Sequence, residues 1–171
     1  MAFPSEGDYA PYYKKYIDKV KGDTIADIIR NHSEDIFFYY NNIPEDKAGY
    51  AYAEGKWTVK DVLQHVIDAE RVFSYRAMRI SRNDSTPLPG FDENEYAKYS
   101  GASARSLSSL KEELAAVRNA TDLLLQSFTE EQLAIKGTAS DQPVTVNALA
   151  YIIYGHLIHH KNILEERYGV R

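Results

Sequence analysis

The chain contains no cysteine. That removes disulfides, thiolate metal sites and an internal thiol nucleophile together. It also lacks any run of about 18 apolar residues, the length a membrane-crossing helix requires, so no membrane partner is expected. Positive charge is sparse. The net charge is −5, and the nearest thing to a basic cluster is Lys14, Lys15, Lys19 and Lys21. Nucleic-acid binding draws on clustered Lys and Arg, so no nucleic-acid partner is expected either. The opening "MAFPSEGDYAPYY" has neither the basic start nor the apolar stretch of a secretory leader, and a cytoplasmic location is the resulting expectation. No repeat, low-complexity tract or domain boundary appears. The 171 residues suit a single domain over 1–171.

What is abundant is helical periodicity and tyrosine, of which there are fourteen. Tyrosine offers a large rigid surface with a polar tip, compatible with a pocket or an interface. "PYYKKYIDKVKG" places Tyr12, Tyr13, Tyr16, Ile17 and Val20 on one side and predicts a helix ending at Gly22. Asp23 is the candidate cap of the next helix, whose stripe is Ile25, Ile28, Ile29, His32, Ile36, Tyr39, Tyr40 and Ile43 before Pro44 stops it. A further helix starts at Thr58, with Asp61 completing an acidic capping box and Trp57 and Val62 placed for a hydrophobic staple; it should run to about Ser81. The segment "NDSTPLPGFDENEYAKYSG" reads as a long loop with a short helical turn around Glu93 to Tyr99.

Leu107, Leu110, Leu114, Val117, Thr121, Leu124 and Phe128 alternate spacings of three and four, the seam of a helical bundle. A short turn capped by Thr129 follows. "TASDQPVT" reads as loop, and Thr145 caps the last helix, which runs to about Tyr168. The fold class is therefore all-α, with four long helices and no convincing strand. Long connections, roughly 44–57 and 82–102, leave the topology open.

Three of the five histidines fall in "YGHLIHHKNILEERYG". At about 100° per residue, with His156 at zero, Leu149 lies near +20°, Ile153 near +60°, His160 near +40° and Ile163 near −20°. His156 and His160 thus share the centre of the apolar stripe, while His159, near −60°, drifts to its edge and is expected to meet solvent or a partner surface. An i, i+4 histidine pair on one buried face can reach a single metal ion. Alternatively, two core histidines could each find neighbouring hydrogen-bond partners, but two desolvated imidazoles side by side need more partners than an apolar stripe supplies. A metal needs further ligands. His65, at the edge of the stripe Val62, Val66, Ala69, Phe73, Ala77 and Ile80, and His32, on the stripe of its own helix, are both candidates, and the residues alone do not choose between them. Glu70 is a candidate carboxylate, but it lies about 140° around the helix from His65. A solvated Glu, or one in a salt bridge, for instance with Arg71 or Arg76, is the better expectation for it.

Taken together, "AEGKWTVKDVLQHVIDAERVFSYRAMR", "TPLPGFDENEYAKYS" and "TVNALAYIIYGHLIHHKNILEERYG" resemble the DinB/YfiT-like superfamily over nearly the whole chain. The resemblance implies an antiparallel four-helix bundle holding one divalent metal on three histidines. Matched residue by residue, these are His65, His156 and His160, so the resemblance prefers His65 to His32. It also implies transferases and isomerases that use a low-molecular-weight thiol such as bacillithiol, mycothiol or glutathione.

Three imidazoles leave a metal with a free position, as catalytic sites do. The donor set suits several divalent ions, with zinc or nickel expected. Because the chain has no cysteine, a thiol nucleophile would have to be a diffusible cofactor acting on a small-molecule electrophile. A metal-dependent hydrolase is the alternative, with Glu70, Tyr39 or Tyr75 as candidate bases and the loop at Pro89, Gly90 and Phe91 as a wall of the pocket. A third reading is a non-catalytic metal-stabilised bundle, a ligand-binding module or a homodimer joined through exposed tyrosines.

Overall fold

The computed structural model describes residues 3–171. Four long helices carry the core: α2 (Ile25–Asn41), α3 (Val59–Ser81), α5 (Leu107–Gln126) and α7 (Val146–Tyr168). Between them lie the short helices α1 (Lys14–Ile17), α4 (Glu93–Tyr99) and α6 (Glu130–Ala134), and a hairpin of β1 (Lys136–Ala139) and β2 (Gln142–Thr145). The fold is an all-α four-helix bundle with one small two-stranded sheet. Both α2 and α3 pack chiefly against α5 and α7. α2 and α3 therefore sit diagonally across the bundle, as do α5 and α7, while α3 and α5 are neighbours.

The helix starts follow local chemistry. The Thr58 side chain accepts the Asp61 amide while the Asp61 carboxylate accepts the Thr58 amide, closing the predicted capping box. Thr129 and Gln132 form a second box at α6, and Thr145 caps α7 by accepting the Ala148 amide. At α2 the cap is Thr24 rather than Asp23: its hydroxyl accepts the Asp27 amide at 3.0 Å. Each such cap stabilises a helix by about 1 kcal/mol. Tyr151 and Tyr154 of α7 are fully buried. Their hydroxyls are satisfied by the Gly22 carbonyl and by Asp122 and Ser33, as buried phenols require.

Two further expectations are corrected. The helix expected from Tyr12 to Gly22 is a 3₁₀ turn (Pro11–Tyr13) followed by one α-turn. The hydrogen bonds of Lys19 to Tyr16 and of Val20 to Ile17 tighten to i−3 and end it. The segment expected as loop at "TASDQPVT" is a hairpin, with Lys136 opposite Thr145 and Ala139 opposite Gln142. Ser140 and Asp141 both adopt positive φ, 52° and 59°, the geometry of a two-residue type I′ turn usually signalled by Asn-Gly. Leu88 is stitched onto this hairpin through the Thr138 carbonyl and the Ser140 amide, each at 2.9 Å. This fixes the loop carrying Pro89 and Phe91.

Gly155 brings the amino-terminal segment to the site. A Cβ there would stand 2.1 Å from the Tyr16 carbonyl oxygen; only hydrogen lets α1 lie this close to α7. Gly155→Ala gains about 1 kcal/mol of helix propensity, but it must displace backbone, and overpacking costs about 1–3 kcal/mol. Urea unfolding should show a net loss of stability; a variant more stable than the parent would contradict the close packing.

Candidate metal centre

α3 and α7 meet face to face, and His65, His156 and His160 converge where they do. Their potential ligand atoms all lie within 4.8 Å of one another. The ring centroids of His65 and His156 are 5.0 Å apart, those of His65 and His160 4.8 Å, and those of His156 and His160 4.5 Å. His65 Nε2 stands 3.1 Å from His156 Nε2. Nitrogens coordinated tetrahedrally at about 2.0–2.1 Å are about 3.4 Å apart, so the spacing suits an ion after small ring adjustments. All three residues are buried, and His160 Nδ1 has no hydrogen-bond partner. A desolvated, unpartnered imidazole nitrogen is costly, and a cation would satisfy it.

Burial governs the protonation of the cluster. Desolvation lowers His65 to about 4, with a smaller contribution from His159. It pushes His156 and His160 well below the ordinary imidazole value, assisted by the adjoining histidines and Lys15. All three are therefore neutral at pH 7, as ligation requires. The Trp57 ring lies tilted against His65 at 4.8 Å and Phe73 lies edge-on to His156 at 5.7 Å, closing the cluster from the sides.

The histidines open onto a cavity of about 280 Å³, near the lower end of small-molecule sites. Tyr12, Tyr13 and Tyr16, Phe73, Phe91 and Trp57 supply its aromatic wall, with Lys15, Arg76, Glu93, Ser140 and His159 as polar lining. The predicted wall near Pro89 to Phe91 is thus present through Phe91. His159 lies outside the triad but lines the cavity rather than pointing to bulk water, its ring 5.1 Å from that of Tyr16. Burial lowers it too, to about 4.

Other candidates lie elsewhere. His32 sits in the first half of α2 and does not line the cavity, its Nε2 accepting the Lys21 amide at 2.8 Å. Glu70 pairs with neither Arg71 nor Arg76; it receives Arg118 Nη1 from α5 at 2.8 Å, and Arg118 also pairs with Asp122. Arg71 is taken by Glu113. The Tyr39 hydroxyl donates to the Val170 carbonyl, and Tyr75 is half exposed beside Arg79. None of Glu70, Tyr39 and Tyr75 lines the cavity, so none is a base for it. The residues missed in the sequence are the cavity-lining tyrosines, Lys15, Glu93, Ser140 and Arg76. Only Arg76 left a readable trace: at i+11 from His65 it lies about 20° away on the same helix face.

With the geometry in place, comparison with known proteins decides the family. The sequence pattern of the DinB superfamily matches residues 29–164. The chain belongs to the DinB superfamily. This DinB-superfamily chain resembles YfiT from Bacillus subtilis, described as a probable metal-dependent hydrolase with an unusual four-helix bundle topology. The TM-score is 0.67 at 19% identity, covering 98% of this chain and 94% of YfiT. It also resembles a mycothiol-dependent maleylpyruvate isomerase, with a TM-score of 0.67 at 15% identity, covering 87% of this chain and 64% of that one. A DinB-like protein from Bacillus subtilis aligns with a TM-score of 0.56 at 20% identity, covering 82% of this chain and 85% of that one. At such identities the likeness speaks to fold. No curated protein matches the chain in sequence.

A pH dependence follows. In the unfolded chain each histidine titrates near 6.5, whereas in the folded metal-free protein burial lowers His65 to about 4 and holds His156 and His160 well below the ordinary imidazole value. The unfolded state therefore binds more protons, and stability is lost as pH falls through 6.5. Each buried histidine withdraws on the order of 1–2 kcal/mol between about pH 7 and pH 5. Denaturant unfolding of chelator-treated protein should show this loss, and replacing any one of the three by Ala should flatten it. An unchanged slope would contradict their burial as neutral groups.

Proposed function

We propose that the protein binds one divalent metal, zinc or nickel, through His65, His156 and His160, and uses it to transfer a low-molecular-weight thiol onto a small electrophilic substrate. The observation that carries this reading is the meeting of three buried neutral imidazoles at the floor of a cavity. No fourth ligating side chain joins the cluster among the described residues, which leaves a coordination position for a reactant, as in catalytic rather than structural sites. When bound, such an ion supplies Lewis acidity that holds a thiol in its thiolate form near neutral pH.

The chain's own groups support the thiol reading over general-base chemistry. Burial raises Tyr13 and Tyr16 above the ordinary phenol value, and Tyr12 and Tyr16 share a hydrogen bond at 3.2 Å. The Tyr13 and Tyr16 hydroxyls therefore stay protonated and serve as hydrogen-bond donors to negative charge developing on a substrate. The aromatic wall restricts water, which strengthens such contacts and protects a thiolate from side reactions. With no cysteine in the chain, the nucleophile must diffuse in. Hydrolysis is the second reading, favoured by Glu93 as the one carboxylate lining the cavity.

Cobalt substitution separates the two. Full-length protein loaded with cobalt(II) should develop a sulfur-to-metal charge-transfer band when a small thiol is added, and His156→Ala should abolish it. Absence of the band, with ester or amide hydrolysis that depends on Glu93, would favour the hydrolase. Metal analysis of untagged protein should show His65→Ala, His156→Ala and His160→Ala each depleted and His159→Ala loaded. The reverse behaviour of His159 and His160 would overturn the ligand assignment.

A further inference from the structure

Arg76 is 2% exposed and lines the histidine cavity, yet it has no carboxylate partner among the described residues. The bundle's other buried arginine behaves differently: Arg118 is flanked by Glu70 and Asp122. Burying a guanidinium without a counter-ion is expensive, and native structures normally pair it. Arg76 Nη2 donates to the Pro89 carbonyl at 2.7 Å and to Ser140 Oγ at 3.0 Å. These two neutral acceptors hold the side chain in place without cancelling its charge.

The surroundings favour an anion at that point. The Tyr13 hydroxyl shares the cavity lining with the guanidinium, whose positive charge opposes the rise that burial imposes on the phenol. Lys15, also in the cavity lining, rests its ammonium over the Tyr12 and Tyr16 rings at 3.9 and 4.9 Å rather than on a carboxylate. Glu93 is the one acidic residue of the lining. Arg76 also stands on the same face of α3 as His65, three turns further on, and side chains in helices lean back towards the amino terminus. The Phe73 ring lies between the two ends, 5.7 Å from the His156 ring and 6.0 Å from the guanidinium.

We propose that Arg76, with Tyr13 and Lys15, forms a carboxylate-binding subsite, so that the molecule occupying the cavity is a small organic acid. Its carboxylate sits at the Arg76 end, its carbon body lies along Phe73, and its reactive centre is turned towards the histidines. The last clause rests on the proposed metal-dependent reaction; the subsite itself does not. A planar guanidinium fork matches a carboxylate in two parallel hydrogen bonds, and the aromatic wall suits a carbon skeleton better than a bare inorganic ion.

The test is calorimetric titration of the full chain, as purified, with succinate, with the neutral diamide succinamide and with inorganic phosphate. Succinate should bind, succinamide should not, and phosphate should be weaker than succinate. Arg76→Gln should weaken succinate at least tenfold, Arg76→Lys by less, and Lys15→Gln two- to fivefold. Equal affinity in Arg76→Gln and the parent, failure of the parent to bind succinate, or preference for phosphate would overturn the proposal. If circular dichroism shows Arg76→Gln unfolded, the exposed Lys15→Gln variant and the succinate–succinamide comparison decide in its place. An unchanged Lys15→Gln affinity together with equal binding of the diamide overturns the subsite. Because the readout is anion binding, loss of the cobalt–thiolate band would remove the thiol reading while leaving this result intact.

Discussion

His65 Nε2 and His156 Nε2 stand 3.1 Å apart on buried side chains, and the His160 ring closes the third side at 4.5–4.8 Å. Neutral imidazole lone pairs repel at such separations unless a proton or a cation lies between them, and imidazolium rings would repel more strongly in a low-dielectric pocket. The rest of the site serves this arrangement. α3 and α7 hold the rings on rigid helices, which place side chains more reproducibly than loops do. Trp57 and Phe73 keep the rings dry and therefore neutral, while Gly155 lets the tyrosine segment close over them.

The bundle manages its buried charges in two ways. On the α3–α5 side Arg118 lies between Glu70 and Asp122, and Tyr154 and Ser33 donate to Asp122, although one Glu70 oxygen is left without a partner. That network ties helices together and has no access to the cavity. On the α3–α7 side the polar groups are left underpartnered: three imidazoles, one with an orphan nitrogen, and an arginine without a carboxylate. A protein interior keeps such groups only when something else satisfies them, and binding sites are where that happens. The same helix, α3, thus carries a structural charge pair on one face and a ligand-facing row on the other.

Much of this was legible in the sequence because it is local. The Thr58–Asp61 box, the seam from Leu107 to Phe128 and the shared face of His156 and His160 depend on residues a few positions apart, and their periods carry through to the fold. What was not legible is non-local. Glu70 finds Arg118 forty-eight residues away, while Arg71, the nearer arginine, goes to Glu113. The hairpin rests on a Ser-Asp turn without the usual Gly signal. The tyrosines reach the cavity only because a one-turn helix lies against Gly155, a contact that periodicity does not reveal. The choice of His65 over His32 needed family resemblance. The physical reason appears in the fold: α3 packs along α7 at the histidines, whereas His32 is occupied by the Lys21 amide.

X-ray absorption spectroscopy of untagged protein tests the three-histidine centre most directly. The expected spectrum shows three imidazole nitrogens at about 2.0–2.1 Å from one metal, with an additional light-atom ligand that is replaced by sulfur at about 2.3 Å when a small thiol is added. A metal with a closed shell of four protein ligands that ignores the thiol, or no bound metal at all, would contradict it.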